Sequence, residues 1–245
     1  MLRSDRLVPP RRLDPGARTD FTATGEELAR LLSELAALRD DERVLEVGCG
    51  AGALARALLK RQSPRATYDG LDVDHEAIGW CRRRYRRQRG FTFRVADVAD
   101  PRRNPAGAHR ADEYRFPYAD ASFDVVVAHS GPTHLLPEAC AQLLRESARV
   151  LAPGGRLMAS FFLLNDTSRA CMQQGRAGMT FIDAGEPVAL LDEDHPDDAV
   201  AYDDAWVFET LRAAGLVLVG LHPGSWCGRE EFTAFQDVIV AARDA

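Results

Sequence analysis

The chain is almost without lysine. Lys60 is the single one, and the remaining basic residues are arginines, which reads as base composition of the gene and not as a binding surface. It also lacks any run of the roughly 18 to 20 apolar residues that cross a bilayer. The N-terminal MLRSDRLVPPRRLDPG has no apolar stretch, so no secretory signal is expected. Five cysteines, Cys49, Cys81, Cys140, Cys171 and Cys227, are scattered, odd in number and form no C-x-x-C pair, so neither zinc, another metal nor a redox dithiol is expected. A net charge of −6 gives no general attraction to nucleic acid or to an anionic membrane. The expected setting is cytoplasmic, without a nucleic-acid or membrane partner. Oligomeric state stays open, a homodimer included.

What the chain has is a 46% apolar content over 245 residues, which suits one α/β domain with insertions. Residues 1–24 read as a lead-in. Leu28, Leu31, Leu32, Leu35 and Leu38 predict an amphipathic helix from Gly25. Strand one is expected from about Arg43 to Val47, then a helix closed at Ser63-Pro64, then strand two from Tyr68 to Leu71. A helix with Ile78, Cys81 and Tyr85 inside precedes strand three, Phe91 to Val98. The apolar run FDVVVAHS is expected as a buried parallel strand four. RLMASFFLL reads as strand five, and LVLVGL and DVIVAA as closely joined strands six and seven. Residues 99–117 and 165–202 read as insertions, the second a candidate lid.

The segment VLEVGCGAGAL, Val44 to Leu54, places a glycine-rich turn between a strand and a helix. Glycine lets the backbone turn sharply and approach a ligand with no Cβ in the way, which points to a nucleotide-derived cofactor. Gly48-x-Gly50-x-x-Ala53 also satisfies the dinucleotide fingerprint, so an NAD-dependent oxidoreductase competes. Three acids bear on the choice. Glu46, two residues before the first glycine, is poorly placed beside a pyrophosphate and well placed for a cation such as S-adenosylmethionine. Asp72, closing strand two, can take both ribose hydroxyls of either cofactor. Asp97, closing strand three, can accept from an adenine amine, which the NAD fold does not need. The Tyr-x-x-x-Lys of an oxidoreductase is missing.

In order and spacing, VLEVGCGAGAL, LDVD, VADV, SFDVVVAHS and RVLAPGGRL resemble the motifs of class I S-adenosylmethionine-dependent methyltransferases. The resemblance covers roughly residues 25–165 and the last thirty. It implies a Rossmann-like, mostly parallel sheet of seven strands in the order 3-2-1-4-5-7-6, with strand seven antiparallel. It also implies S-adenosyl-L-methionine as cofactor. Glu46, Gly48, Cys49, Gly50 and Gly52 would line its methionine end. Asp72 and Val73 would hold the ribose and flank the adenine, Asp97 and Val98 would meet the adenine, and His129 and Ser130 would sit beside the methionine. RRNPAG, EYRFPYADASFD, THLLPE, SFFLLND and GSWCGR are similar to a bacterial subgroup found with polysaccharide, glycolipid and natural-product genes. At Gly131-Pro132 the chain departs from that subgroup's bulkier residues.

Ligands of open α/β sheets bind at the strands' carboxyl ends, so a base should lie just after strand four. His134 fits proton removal from a hydroxyl near neutral pH, and packing under the following helix is its plain alternative. Tyr118, Asn165, Trp226 and Arg229 are candidate acceptor contacts. Trp226 could stack on a sugar face or anchor its own loop, and Asn165 could cap a helix. Arg82 to Arg89 holds six arginines in eight positions, read as a solvated helix face before an RNA patch. The expected activity is methyl transfer to a hydroxyl of a small molecule or glycoside. A nitrogen or carbon acceptor, and a non-methylating relative that binds the same cofactor, stay open.

Overall fold

A computed structural model describes residues 6–13, 20–61 and 67–244. The expected helix stop at Ser63-Pro64 lies outside them. The chain divides into two compact units, residues 1–110 with 123–125, and residues 111–122 with 126–245.

In the first unit, helix α1 (Phe21–Leu35) starts four residues before the expected Gly25. Asp20 caps it, its Oδ1 accepting from the Thr22 and Ala23 amides at 2.7 and 3.1 Å, and Phe21 is buried. Gly25 is an approach site within this helix. A Cβ there would lie 2.2 Å from the Ala53 carbonyl oxygen, at the start of α2 (Ala53–Arg61). Strands β1 (Arg43–Val47), β2 (Thr67–Asp72) and β3 (Phe91–Val95) pair in parallel, in the order β3-β2-β1. The opening residues of β4 (Phe123–Ala128) extend the row beside β1. Asp124 there receives the Arg43 amide, Nε and Nη2 at 2.8, 3.0 and 2.7 Å.

Helix α3 (His75–Tyr85) is capped by Asp74 and buries Ala77, Ile78, Trp80, Cys81 and Tyr85. Arg82, Arg83 and Arg84 face solvent, as helical spacing requires. Strand β3 stops three residues short of the expected Val98. The Ala96 amide is taken by the Asp72 carbonyl, and the chain from Asp97 pairs instead with residues 104–109. Part of the 99–117 insertion is therefore folded back: the Asn104 Nδ2 donates to the Val98 carbonyl at 3.0 Å, and Gly107 packs so closely on Val98 and Ala99 that a Cβ would not fit.

In the second unit the last residues of β4 neighbour β5 (Leu151–Leu164), which follows α4 (Pro137–Val150). The 165–202 segment is not irregular. It holds α5 (Asp166–Gln173) and short strands β6 (Ile182–Asp183), β7 (Val188–Leu190) and β8 (Val200–Asp203), and β8 runs parallel to the end of β5. After α6 (Asp204–Ala213), β9 (Leu216–His222) and β10 (Asp237–Arg243) form an antiparallel pair. Strand β10 is antiparallel to β5 and lies between β5 and β9. With β9 and β10 as strands six and seven, this is the expected 5-7-6 edge of a Rossmann-like α/β fold. No described helix is long and apolar enough to cross a membrane.

Candidate active site

The glycine turn after β1 is held open by its backbone. Gly48 and Gly50 sit at φ 81° and 50°, where side chains are strained, and a Cβ on either would meet nothing within 4 Å. The turn leaves space on that side, the property a close-approaching ligand needs. It is pinned from β2: the Gly48 amide donates to the Leu71 carbonyl at 2.8 Å, and the Gly50 amide to Asp72 Oδ2 at 2.7 Å. Asp72 Oδ1 accepts the Asp74 amide at 2.8 Å. Each carboxylate oxygen thus holds one backbone donor and keeps lone-pair capacity for a second. Burial pushes the Asp72 carboxyl up, against these two hydrogen bonds.

Gly70 is a position that the motif reading did not single out. A Cβ there would lie 2.7 Å from Cys49 Sγ and 2.9 Å from a Phe93 ring carbon, so Gly70 makes the room that Cys49 occupies. A lone glycine inside a strand gives little signal of this. Glu46 turns inward and takes the Tyr68 hydroxyl. Desolvation pushes its carboxyl up to about 8, so without a ligand it is mainly protonated at pH 7. The negative charge that would suit a cation at Glu46 is therefore latent. Val73 is half-buried and Val98 buried. Asp97 is exposed, and its Oδ1 accepts the Ala108 amide at 3.2 Å.

In the second unit, the residues after β4 form a polar network. Ser160 Oγ, on β5, receives the Ser130 amide at 2.8 Å and lies 3.2 Å from His129 Nδ1. It donates to Gln236 Oε1 at 2.6 Å, and the Ser130 hydroxyl donates to the same oxygen at 3.1 Å. Ser130 has φ 57°, a left-handed conformation uncommon for serine, held here through both its amide and its hydroxyl. Burial drives the His129 imidazole down to about 4, leaving it neutral at pH 7. Ser160 and Gln236 were invisible to motif reading, because a serine within an apolar strand and a glutamine before one carry no pattern.

His134 closes the 3-10 turn Pro132–His134, begun by a proline that presets φ. Its ring is exposed, and Nδ1 lies 2.9 Å from the Asp197 carbonyl oxygen. A carbonyl only accepts, so the Nδ1 carries hydrogen and, in the neutral ring, Nε2 carries the lone pair.

Of the expected acceptor contacts, Trp226 requires correction. It is fully buried, packs edge-on against Phe162 and Phe181 with centroids 5.5 Å away, and donates its indole N–H to Asp237 at 2.6 Å. No face is open to a sugar. Asp237 also accepts the Leu163 and Gly224 amides, at 2.9 and 2.8 Å, and Arg229 Nη1 lies 3.5 Å away. Arg229 is largely buried and reaches Asn165 Oδ1 at 3.4 Å. Asn165 caps α5 in a reciprocal box with Ser168 and also lines an open groove of about 730 Å³ with Asp166, Asp183, Glu186, Asp203 and Trp206. Tyr118 is half-buried, and its carbonyl accepts from Arg149 Nη1 at 2.9 Å.

A glycine turn that opens a helix after β1, pinned by the acid that ends β2, defines a Rossmann-like nucleotide-cofactor domain. Residues 45–159 match the family described as a methyltransferase domain. The chain is 37% identical over 127 residues to a fatty-acid O-methyltransferase of Mycolicibacterium smegmatis, covering 52% of this chain and 38% of that protein. It is 35% identical over 156 residues to the 27-O-demethylrifamycin SV methyltransferase of Amycolatopsis mediterranei, covering 62% of this chain and 52% of that one. The chain thus spans about half or less of the length of these relatives. A Burkholderia thailandensis 1,6-didemethyltoxoflavin-N1-methyltransferase, solved with S-adenosylhomocysteine, shares the fold at TM-score 0.59 and 17% identity, covering 91% of this chain and 80% of that one. The matched region and the fold are similar to those of the class I S-adenosylmethionine-dependent methyltransferases, whose cofactor is S-adenosylmethionine. The open glycine turn, the remaining acceptor capacity of Asp72 and the latent charge of Glu46 fit that phosphate-free, cationic molecule.

Proposed function

We propose that the chain transfers a methyl group from S-adenosylmethionine to a hydroxyl of a small molecule or glycoside, with His134 as general base. The observation that carries this reading is the hydrogen bond from His134 Nδ1 to the Asp197 carbonyl, which leaves Nε2 as the basic nitrogen of an exposed ring. Both relatives cited above are named for methylation at oxygen, which supports a hydroxyl acceptor. The cofactor, when bound, supplies the electrophilic methyl. The protein's part is to orient the groups and to remove the hydroxyl proton.

In this reading Gly48, Cys49, Gly50 and Gly52 border the cofactor. Asp72 and Val73 take its ribose, Asp97 and Val98 its adenine, and Glu46, His129 and Ser130 its methionine end. Asn165, Tyr118 and Arg229 bear on the acceptor. His134→Ala should lower kcat by about 10² to 10⁴, the usual range for a general base, with S-adenosylhomocysteine affinity unchanged by calorimetry. Turnover is measured on a panel of hydroxylated compounds and read as demethylated cofactor released. An unchanged rate in the variant would remove His134 from the chemistry.

A further inference from the structure

Base composition accounts for arginine in place of lysine, but not for six of the chain's 31 basic residues falling within eight positions. Arg82, Arg83, Arg84, Arg86, Arg87 and Arg89 are all exposed, and among the described residues none of them makes an ion pair. Acids on the same and neighbouring elements are engaged elsewhere. Glu76, on α3, takes Arg12 at 2.8 Å, and Asp69, on β2, takes the Thr92 hydroxyl and lies 4.0 Å from Arg94. The negative end of the α3 dipole favours cations in the last turn, but about half an elementary charge does not balance six.

Two of these side chains are held in place without being neutralised. Arg82 Nε donates to the Phe93 carbonyl at 2.8 Å, and the Arg84 guanidinium stands 5.7 Å over the Trp80 ring. Arg82 and the cap residue Arg86, whose backbone is still helical, are four positions apart and share a face. Guanidinium groups fixed in advance lose less freedom when they meet a partner.

The patch suits carboxylates on a folded partner better than it suits other polyanions. Trp80, Tyr85 and Phe93 are buried and Phe91 is half-buried, so no open ring is offered to the bases of a single strand. No large apolar residue is exposed between Gly79 and Val95 to enter a bilayer. The net charge of −6 also opposes a long polyanion that reaches beyond the patch.

We infer that the arginines at the end of α3 form a docking surface for the acidic face of a partner protein, whose aspartates and glutamates pair with them. A rhodamine-labelled decaglutamate peptide is the probe, titrated against the full chain by fluorescence anisotropy. The wild type should bind it at low salt and lose affinity at about 0.15 M salt, where exposed charges are screened beyond about 8 Å. Arg83→Glu with Arg87→Glu should weaken binding at least about tenfold, two exposed pairs being turned into repulsions. Arg83→Gln with Arg87→Gln, which spares the helix end a negative charge, should lose less but in the same direction, with unchanged circular dichroism. Arg30→Glu with Arg145→Glu makes the same change of net charge away from the patch and should cost much less. No binding by the wild type, no loss in either patch variant, or an equal loss in the control overturns the inference. Tighter binding of decauridylate or of phosphatidylserine vesicles than of the peptide overturns it as well.

Discussion

Replacing Glu46 by glutamine isolates the energetic consequence of a buried acid. Its carboxyl ordinarily titrates near 4.5 and is pushed up to about 8 in the fold, chiefly by desolvation. Between those values the unfolded chain has released the proton that the folded chain still holds. Stability must therefore fall as pH rises from about 4.5 to about 8 and level off above, with a limiting slope of about 1.4 kcal/mol per pH unit. Between pH 6 and pH 8 the loss amounts to about 2 kcal/mol. Glu46→Gln keeps the shape and the Tyr68 partner but cannot ionise, so that slope should vanish. Denaturant unfolding of both proteins without cofactor, at several pH values from 5 to 9, gives the difference curve, in which titrations common to both cancel. The variant should gain on the wild type as pH rises. It should also bind S-adenosylmethionine more weakly, and only the wild type's affinity should climb as pH approaches 8, because cation binding favours the ionised acid. A pH-independent difference between the two stability curves would refute the buried, protonated carboxyl and the latent charge built on it.

Two further outcomes test the cradle. Gly70→Ala should displace Cys49 from beneath the glycine turn, since its Cβ would lie 2.7 Å from the Cys49 sulfur; the expected result is an overpacking loss of about 1–3 kcal/mol in denaturant unfolding, with weaker S-adenosylhomocysteine binding. Asp72→Ala orphans the Gly50 and Asp74 amides and removes the expected ribose acceptor, so calorimetry should show S-adenosylhomocysteine affinity reduced at least about tenfold. Unchanged affinity would overturn the ribose assignment.

Much of the first unit could be read along the chain because its signals are local. The glycine turn, the acid that closes β2 and the apolar rhythm of α3 each depend on neighbours a few residues away. Boundaries were less legible. Helix α1 begins at a cap, Asp20, that the leucine spacing did not include, and β3 ends early because Ala96 bonds across to β2. The 165–202 segment shows no periodicity, since its strands are two to four residues long and take their order from β5 and from one another.

The sequence alone determined the class of fold and the kind of cofactor, because both rest on motifs of residue types at short, fixed spacing; the strand order at the β10 edge followed only from the family those motifs resemble. Tertiary structure decided what the individual polar groups do. Trp226 became an anchor because Asp237 lies within reach of its indole, and Glu46 a protonated acid because it is enclosed beside Tyr68. His134 acquired an orientation from Asp197, 63 residues away, and His129 a partner in Ser160, 31 residues away. Hydrogen-bond direction and desolvation depend on which groups meet in space, and residues so far apart in the chain leave no mark of that meeting in their order.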